Sequence, residues 1–487
     1  MINVGLIPLD SRPCNTSWVI DLGKIGNANV IMYPREKCGF LHNGAELDDI
    51  LSWLNEHVNE MDYLIISSDG LSFGGLIQAR KAQIDLDSAL EKFKVFNTIK
   101  SNYPHLKMYM FDTCMRTSIS AVDEESQYYW GKMNEYSLYK GRVHFFGTEA
   151  DKAKLGELEK EIPERIINTY LKARNVKFTL NKYFLSLVND GILDGYILLQ
   201  EDSMPYGIQQ IEHEELKQII KDNNLEQKVQ FYNGTDEGAV VLLAKIFMEE
   251  NNLRPKAYLH VPTRESIEKC FLFEDRPGIE NIEKMCSTVG FTIVDNYDEC
   301  DFVLSIFSVL ENDDLVIERF EEMPINKDET YQNYITELNN MLEKNKPVVL
   351  VDLLFPNGGS YELLQDVKFK NLASYSAWNT ASNSLGSAVC EIAAVLVSGD
   401  KSNPLNQKFL YERIFDDCVY QYIARRKACE RLINEGANVF DLKEFGSKAI
   451  EYTKESLDLY KHMIPGYSYE ITLPWNRMFE AEIILKK

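Results

Sequence analysis

The chain has few features of a disulfide-bonded, zinc-binding or nucleic-acid-binding protein. Its nine cysteines are an odd number, and no pair has the spacing of a zinc site or a disulfide framework. Basic residues are scarce, because 52 Lys and Arg stand against 75 Asp and Glu, which gives a net charge of −23. Nucleic acid and anionic membrane surfaces attract basic proteins, so we expect neither as a partner. Unpaired cysteines among apolar neighbours indicate a reducing compartment.

Long apolar segments are missing as well. No run approaches the roughly 20 residues of a membrane-spanning helix. The N-terminus has neither the basic region nor the apolar core of a signal peptide. We therefore expect a soluble, cytoplasmic protein.

The motifs of common cofactor enzymes and nucleophile enzymes do not occur. No strand-like run is followed by a nucleotide-binding glycine pattern, and the seven histidines form no HExxH. The sequence also has no GxSxG elbow and no local cysteine-nucleophile signature. It therefore predicts no cofactor and no dedicated metal ligands, and it disfavours zinc and nucleotide chemistry.

Carboxylates stand at the ends of several short apolar runs, and this pattern is the most informative one in the chain. The runs have the length of β-strands, and each is followed by a helix-like stretch. In parallel α/β folds the residues just past the strands share one face, and active sites lie on that face. We therefore expect one cleft lined with carboxylates, and so an enzyme. The acids at these positions are Asp10, Asp69, Asp112, Glu201, Asp202, Asp236 and Glu237.

The alternation of strand-like and helix-like segments predicts an α/β protein with three domains. Residues 1–265 predict a (β/α)8-like barrel, for which about 250 residues is usual, with an open doubly wound sheet as the alternative. Residues 266–400 predict a second α/β domain. Residues 401–487 predict a helical region with C-terminal strands, read as an extended hairpin, that pack back on the body. The eight candidate barrel strands are 2–9, 29–33, 63–68, 107–112, 143–147, 195–200, 228–233 and 257–262.

Two adjacent acid pairs, Glu201-Asp202 and Asp236-Glu237, are the candidate catalytic residues. Glycoside hydrolysis needs one protonated carboxyl and one charged partner, and such pairs can supply both. The same pairs could instead bind a divalent cation or cap helices. The nearby segment Glu274-Asp275-Arg276 is interpreted as a structural ion pair rather than a catalytic group.

Other polar and aromatic residues after strands are candidates for substrate binding. Trp378 beside neutral amides suits a sugar-like polyol better than a nucleotide, and Arg116 suits an anionic group. The alternative is that the asparagines are turn residues, that both tryptophans belong to the core, and that Arg477 pairs with Glu480. The candidates are Asp10, Arg12, Asp69, Asp112, Arg116, Tyr206, Asn357, Trp378, Asn379, Asn383, Trp475 and Arg477.

Seven motifs, distributed over the whole chain, resemble those of an uncharacterised bacterial family called domain of unknown function 4127. Many relatives in that family carry Asp-Asp where this chain has Glu201-Asp202, and the resemblance implies no established activity. The motifs are PLDSRPCN at 8–15, DGLSFGGLIQAR at 69–80, EDSMPYG at 201–207, GTDEGA at 234–239, FEDRPG at 273–278, AWNTASNSLG at 377–386 and LPWNRMFE at 473–480.

A second resemblance, in the form of the acid pairs, is to hexosaminidase-like glycosidases. It implies that one acid orients an acetamido group of the substrate and that the other is the acid/base. Together these observations predict a hydrolase, most simply a glycosidase, with a small-molecule or oligosaccharide substrate. The alternatives are a hydrolase or lyase assisted by a divalent metal, and a sugar- or metabolite-binding protein without catalysis.

Overall fold

Strands and helices alternate along most of the chain, as the sequence predicts. The computed structural model describes residues 1–81, 83–120, 123–310 and 324–487. The strands are β1 Ile2–Ile7, β2 Ala28–Met32, β3 Tyr63–Ser67, β4 Lys107–Cys114, β5 Gly195–Gln200, β6 Val229–Asn233, β7 Lys256–His260, β8 Thr292–Val294, β9 Phe302–Phe307, β10 Val348–Asp352, β11 Ser374–Ser376, β12 Ser468–Thr472 and β13 Glu482–Lys486.

The helices lie mainly between the strands and in the C-terminal region. A π-helix, Ile414–Ala424, joins two of the α-helices. The α-helices are α1 Ser17–Ile25, α2 Leu47–His57, α3 Ser68–Phe73, α4 Leu76–Ala79, α5 Leu86–Phe93, α6 Val95–Asn102, α7 Glu124–Phe145, α8 Glu149–Glu161, α9 Glu164–Asn189, α10 Gln209–Asp222, α11 Gly238–Glu250, α12 Glu265–Glu268, α13 Gly278–Val289, α14 Glu329–Leu342, α15 Tyr361–Asp366, α16 Ala381–Ser398, α17 Pro404–Arg413, α18 Arg425–Asn434 and α19 Gly446–Leu457. Short 3-10 helices are Pro13–Asn15, Arg35–Lys37, Val58–Glu60, Tyr297–Glu299, Phe369–Asn371, Lys443–Phe445 and Asp458–Met463.

The described residues divide into two units that are interleaved along the chain. The first unit comprises Met1–Ser11, Ala28–Leu242 and Phe273–Arg276. The second comprises Arg12–Asn27, Leu243–Leu272 and Pro277–Lys487. The predicted domain boundaries at 1–265, 266–400 and 401–487 remain a prediction about folding units.

The first unit contains a six-stranded parallel sheet in the order β2-β1-β3-β4-β5-β6. β3 and β5 are buried at every position, as expected for parallel strands covered by helices on both faces. The strand order reverses between β1 and β3, which is the topological switch point of a doubly wound sheet. The carboxyl ends of all six strands therefore lie at one edge.

Closure of a barrel is not shown, and the described strands instead pair as the open sheet that was the alternative. Two of the eight candidate strands do not join this sheet. Residues 143–147 end helix α7, and β7 pairs with β8 and β9. The reason for the error is that a short apolar run does not by itself distinguish a strand from a helix segment or reveal its partner.

The second unit contains a parallel sheet in the order β11-β10-β9-β7-β8 and an antiparallel hairpin, β12-β13. The predicted second α/β unit and C-terminal hairpin are therefore present, although the sheet also takes in β7. Helix α16 is long and apolar enough to cross a membrane by length and composition, but 78% of it is buried inside the structure. Such burial is typical of a core helix.

Buried carboxyls in the second unit make its stability depend on pH. Glu391 of α16 is 1% exposed, and burial raises its pKa from 4.5 to about 8. The folded state therefore keeps a proton that the unfolded chain releases between pH 4.5 and about 8. Stability should fall as the pH rises through this window, by about 1.4 kcal/mol per pH unit for such a group.

We expect Glu391→Gln, which stays neutral at all pH values, to weaken this decline and to be more stable than the wild type at pH 9. Urea unfolding at pH 6 and pH 9 measures the effect. Glu430→Gln, an exposed change on α18, is the control and should show the wild-type decline. A decline of wild-type size in Glu391→Gln would contradict the assignment.

Candidate functional site

The predicted acids of the first unit lie at or near the carboxyl ends of β1, β3, β4, β5 and β6, at one edge of one sheet. Asp112 differs in detail, because it lies inside β4, two residues before the strand ends. An open acidic cleft does not form, since Asp10, Asp69, Asp112 and Asp236 are all nearly inaccessible. The side chain of Asp202, in contrast, is 30% exposed.

The centre of this edge is an ion cluster that we call the Lys177 cluster, formed by Lys177, Asp69 and Asp112. The Lys177 ammonium donates to Asp69, and its distance to Asp112 Oδ1 is 3.0 Å. Burial disfavours its charge, but the Asp112 and Asp69 carboxylates outweigh burial and raise the Lys177 pKa. Burial also raises the pKa of Asp69, against the opposing effect of Lys177. One cation therefore compensates two carboxylates, one in the first turn of α3 and one on β4.

Neutral donors complete the coordination of Asp112 in this cluster. Asn181 Nδ2 and Tyr196 Oη donate to Asp112 Oδ2 at 2.7 and 2.5 Å, and Ser68 Oγ donates to Oδ1. Asn181 lies one helical turn after Lys177 on α9, so one face of this helix supplies both groups. These donors fix the position of the Asp112 carboxyl group.

Glu201 is also held on both oxygens. Arg80 donates to Glu201 Oε2 through Nε and Nη2 at 2.9 and 2.6 Å. Thr113 Oγ1 lies 3.2 Å from Glu201 Oε1 and 2.6 Å from Asp69 Oδ2, which joins Glu201 to the Lys177 cluster. These contacts fix the position of the Glu201 carboxyl group.

Asp202 is the accessible member of the first acid pair. Arg116 donates to its Oδ2, and the Thr117 backbone N–H donates to its backbone carbonyl at 3.0 Å. The Arg116 carbonyl in turn accepts from Tyr170 Oη at 3.0 Å, so the arginine segment is itself fixed. The arrangement provides an ionised, partly exposed carboxylate at the end of β5.

Glu237, which follows β6, differs from Asp202 because its side chain is not accessible. Its side chain is buried, and burial together with the carboxylates of Asp236 and Glu274 raises its pKa to about 8. Its Oε2 accepts from the Thr235 N–H at 2.9 Å, while its Oε1 has no hydrogen-bond partner among the described residues. Gly234 allows this turn, because it has φ +149° and a Cβ there would come within 1.6 Å of Glu237 Oε1.

Backbone contacts connect the Asp202 and Glu237 segments within the first unit. The N–H of Ser203, next to Asp202, donates to the Phe273 carbonyl at 2.8 Å, directly before Glu274. Asn233 Nδ2 at the end of β6 donates to Ser203 Oγ at 3.2 Å. An ionised and a protonated carboxyl therefore belong to two connected segments at adjacent strand ends.

The ion pair expected within Glu274-Asp275-Arg276 forms between the last two residues. Arg276 Nε lies 3.1 Å from Asp275 Oδ1, and its Nη1 donates to the Phe231 carbonyl at 3.1 Å. Glu274 is the exception, since it contributes to the environment of Glu237. The structural interpretation therefore holds for Asp275 and Arg276.

Seven predicted substrate-binding residues belong to the second unit instead. Trp378 and Trp475 are 5% and 2% exposed, and Arg477 Nε donates to both oxygens of Glu480 at 2.8 and 3.1 Å. These contacts agree better with the alternative that both tryptophans belong to the core and that Arg477 pairs with Glu480 than with a ligand-binding role. The seven residues are Arg12, Asn357, Trp378, Asn379, Asn383, Trp475 and Arg477.

The polar residues of this group have mainly conformational roles. The Arg12 guanidinium lies 5.1 Å from the ring centroid of Trp475. Asn357 and Asn379 have positive φ, and the Asn357 N–H donates to the Asn379 carbonyl at 2.9 Å. Asn383 is buried in the first turn of α16. The turn alternative for the asparagines is therefore supported at 357 and 379.

A cavity of about 450 Å³ lies in the first unit, lined by segments that follow β2 and β3 and by helix α5. None of the predicted catalytic residues lines it. Ser72 and Phe73 of α3 form part of the wall. Phe73 also faces the Lys177 ammonium, 5.8 Å from its ring centroid, so this wall backs onto the Lys177 cluster.

Within the part of the chain that the structure describes, no group of three or more His, Cys, Asp or Glu side chains is placed to hold a metal ion. Lys177 pairs with Asp69 and Asp112, Arg80 with Glu201, and Arg116 with Asp202.

Several residues of this site were missed by the sequence analysis. Lys177 and Asn181 lie in the middle of a helix, where nothing in the local sequence marks them. Arg80 carried a signal, because it ends the motif DGLSFGGLIQAR that begins with Asp69. Glu274 was noted, but its proximity to Glu237 depends on the tertiary structure.

Residues 4–484, nearly the whole chain, match the model of a family described as protein of unknown function (DUF4127). The chain therefore belongs to this family, and the resemblance of its motifs is confirmed. Comparison with curated proteins and with solved structures found no match for this chain. The resemblance to hexosaminidase-like glycosidases stays a prediction.

We expect Lys177→Met to destabilise the protein by about 3–5 kcal/mol, because it leaves two buried carboxylates without their cation. Adding Asp69→Asn in the same chain should recover part of this loss. Lys182→Met on the same helix is the control, since Lys182 pairs with Glu215 at the surface and should contribute less than about 1 kcal/mol. Urea unfolding at pH 7 measures all three. Equal losses of unfolding free energy in Lys177→Met and Lys182→Met would show that Lys177 does not have this stabilising role.

Proposed function

We propose that this member of the DUF4127 family is a hydrolase that cleaves glycosidic bonds of a sugar-like substrate, with Glu237 as the general acid. One observation carries the proposal. At the carboxyl edge of the sheet, Glu237 is a buried carboxyl with a pKa near 8 and an unpartnered oxygen, one strand away from an ionised, accessible Asp202. Separated protonation states on two carboxyls are the requirement of glycoside hydrolysis.

Glu237 can donate a proton from a defined atom. Its Oε2 accepts a hydrogen bond from the Thr235 N–H, so the proton of the neutral carboxyl resides on Oε1. Oε1 is buried and has no hydrogen-bond partner among the described residues, so a glycosidic oxygen that reaches it on substrate binding would accept this proton. Protonation of that oxygen makes it a better leaving group as the bond to the sugar carbon breaks.

Asp202 supplies the charged partner. Arg116 holds its carboxylate, and its accessible side chain can reach a substrate or water. It would accept the proton of an attacking water, or attack the sugar carbon itself before water releases the product. The distance between the two carboxyls in the substrate complex decides between these routes.

The remaining acids have supporting roles in this proposal. Burial is the main reason that Glu237 stays protonated, and the carboxylates of Asp236 and Glu274 add to the rise of its pKa. Glu201 and the Lys177 cluster hold the strand ends in position through Arg80 and Thr113. These are positioning residues, and the chemical step belongs to Glu237 and Asp202.

The proposal includes a cellular compartment and a charge class of the substrate. The nine cysteines are free thiols, eight of them buried, which fits a reducing, cytoplasmic location. The acidic net charge of −23 favours a neutral or cationic substrate over a polyanion.

We expect Glu237→Gln to keep the fold and to lower kcat by about 10²- to 10⁴-fold, because the amide has the shape of the neutral acid but transfers no proton. Aryl and alkyl glycosides with leaving groups of different acidity are the substrates. The loss should be larger for the poorer leaving group, which depends more on protonation. Glu214→Gln, an exposed change on α10, is the control. A uniform loss across leaving groups would argue against a general-acid role.

The pH profile gives an independent check. Since the acid must be protonated in the free enzyme, kcat/KM should fall as the pH rises through about 8, the pKa of Glu237. Asp236→Asn removes one negative charge near Glu237, so it should lower the pKa of Glu237. The alkaline limb of the pH profile, where kcat/KM falls, should therefore shift to lower pH while the folded fraction stays unchanged. An alkaline limb that stays in place in Asp236→Asn would contradict the assignment to Glu237.

A further inference from the structure

We propose that two exposed aromatic rings, Phe146 and Tyr206, form a platform that binds a pyranose ring of the substrate next to the bond that is cleaved. This inference rests on the proposed function and narrows its substrate class to oligosaccharides.

The two rings expose apolar surface together. Phe146 is 52% exposed and Tyr206 is 49% exposed, and their centroids lie 5.2 Å apart at an interplanar angle of 65°. Exposed single apolar residues are common, but a contacting pair of half-exposed aromatic rings is a patch. The C–H face of a pyranose covers such a patch while its hydroxyls stay in water.

The backbone of Tyr206 is held in an unusual conformation. Its φ is +65°, which is rare for a bulky residue and persists only where surrounding contacts enforce it. The enforcing element is α7. A Cβ on Gly141 would lie 1.9 Å from the Tyr206 carbonyl oxygen, and the Ile208 N–H donates to the Ser137 carbonyl at 3.0 Å. The ring is therefore pre-positioned rather than free to fold back.

Phe146 is fixed by the end of the same helix. Its N–H donates to the Arg142 carbonyl at 2.8 Å, and the Arg142 guanidinium lies 5.7 Å from the Phe146 ring centroid. Arg142 is itself held by Asp151, with Nε 2.7 Å from Oδ1. Binding to a platform that is already ordered loses little conformational entropy.

Tyr206 of the platform belongs to the same loop as Asp202, and Phe146, directly after α7, contacts Tyr206. Tyr206 is four residues after Asp202, and the Thr117 N–H anchors the Asp202 carbonyl. A ring seated on Phe146 and Tyr206 is thus on the Asp202 side of the site. A single sugar unit would not occupy both places, so the substrate needs at least one further unit.

The test measures binding of soluble tetrasaccharides of glucose, xylose and N-acetylglucosamine by calorimetry. The protein is the full chain carrying Glu237→Gln, so that bound sugar is not hydrolysed. We expect at least one tetrasaccharide to bind and Tyr206→Ala or Phe146→Ala to weaken it by about tenfold. Tyr128→Ala is the control, because Tyr128 is 66% exposed on the same helix and should leave affinity unchanged.

A second variant tests the positioning rather than the ring. Gly141→Ala keeps both aromatic residues but displaces the Tyr206 backbone, so it should also weaken tetrasaccharide binding. Melting temperatures of all variants show whether each remains folded. If Tyr206→Ala alone fails to fold, Phe146→Ala and Tyr206→Phe still test the platform. Phe146→Ala removes a ring and should weaken binding, whereas Tyr206→Phe keeps a ring and should keep the affinity.

The outcomes separate this inference from the proposed function. Absence of tetrasaccharide binding, or equal affinity in all platform variants, overturns the platform, while turnover of aryl monoglycosides still judges Glu237. Platform-dependent binding without any turnover supports the platform and refutes the hydrolase. If Tyr206→Ala changes only the sedimentation coefficient, the rings are a contact between copies of the chain and the proposal fails.

Discussion

The carboxyl edge of the first sheet depends on one buried ammonium group. Asp69 in the first turn of α3 and Asp112 on β4 are nearly inaccessible, and two such carboxylates would repel each other strongly in a medium of low dielectric constant. Lys177 lies between them, and Asn181, Tyr196, Ser68 and Thr113 satisfy the remaining oxygens. Glu201 is joined to this cluster by Thr113, and its neighbour Asp202 is thereby placed at the accessible end of β5.

The chain accommodates buried carboxyls in two different ways. In the Lys177 cluster, the Lys177 ammonium and several hydrogen-bond donors bind the oxygens of Asp69 and Asp112. At Glu237, burial together with the neighbouring carboxylates of Asp236 and Glu274 raises the pKa to about 8, so the proton stays at neutral pH. The first solution produces a rigid frame, and the second produces a group that can give up a proton. Their occurrence on one edge is what makes this edge the strongest candidate for chemistry.

The two sheets repeat one topological order. In each, the second strand along the chain lies outside the first, and the third, fourth and fifth follow on the other side. Buried acids again occur at the carboxyl edge of the second sheet, where Asp352 accepts the backbone N–H of Ser360 at 2.6 Å. Arg413 there pairs with Asp417 at 2.9 Å. In the second unit these contacts join loops and the π-helix to the sheet, so buried acids and arginine have a structural role there.

The sequence alone determined the α/β class, most strand positions, the carboxylates at the strand ends and the family, because these features are local patterns of polarity or short motifs. The tertiary structure decided the sheet order, since strand partners are distant in sequence and residues 143–147 had no local feature to distinguish helix from strand. It also decided the charge states. Lys177 is 108 residues from Asp69, and Arg80 is 121 residues from Glu201, so no local spacing reveals these pairs. Glu237 and Asp202 look alike as residues of acid pairs, yet one is buried near other carboxyls and the other is partly exposed beside an arginine. A pKa follows burial and neighbouring charge, and both of these exist only after the chain has folded.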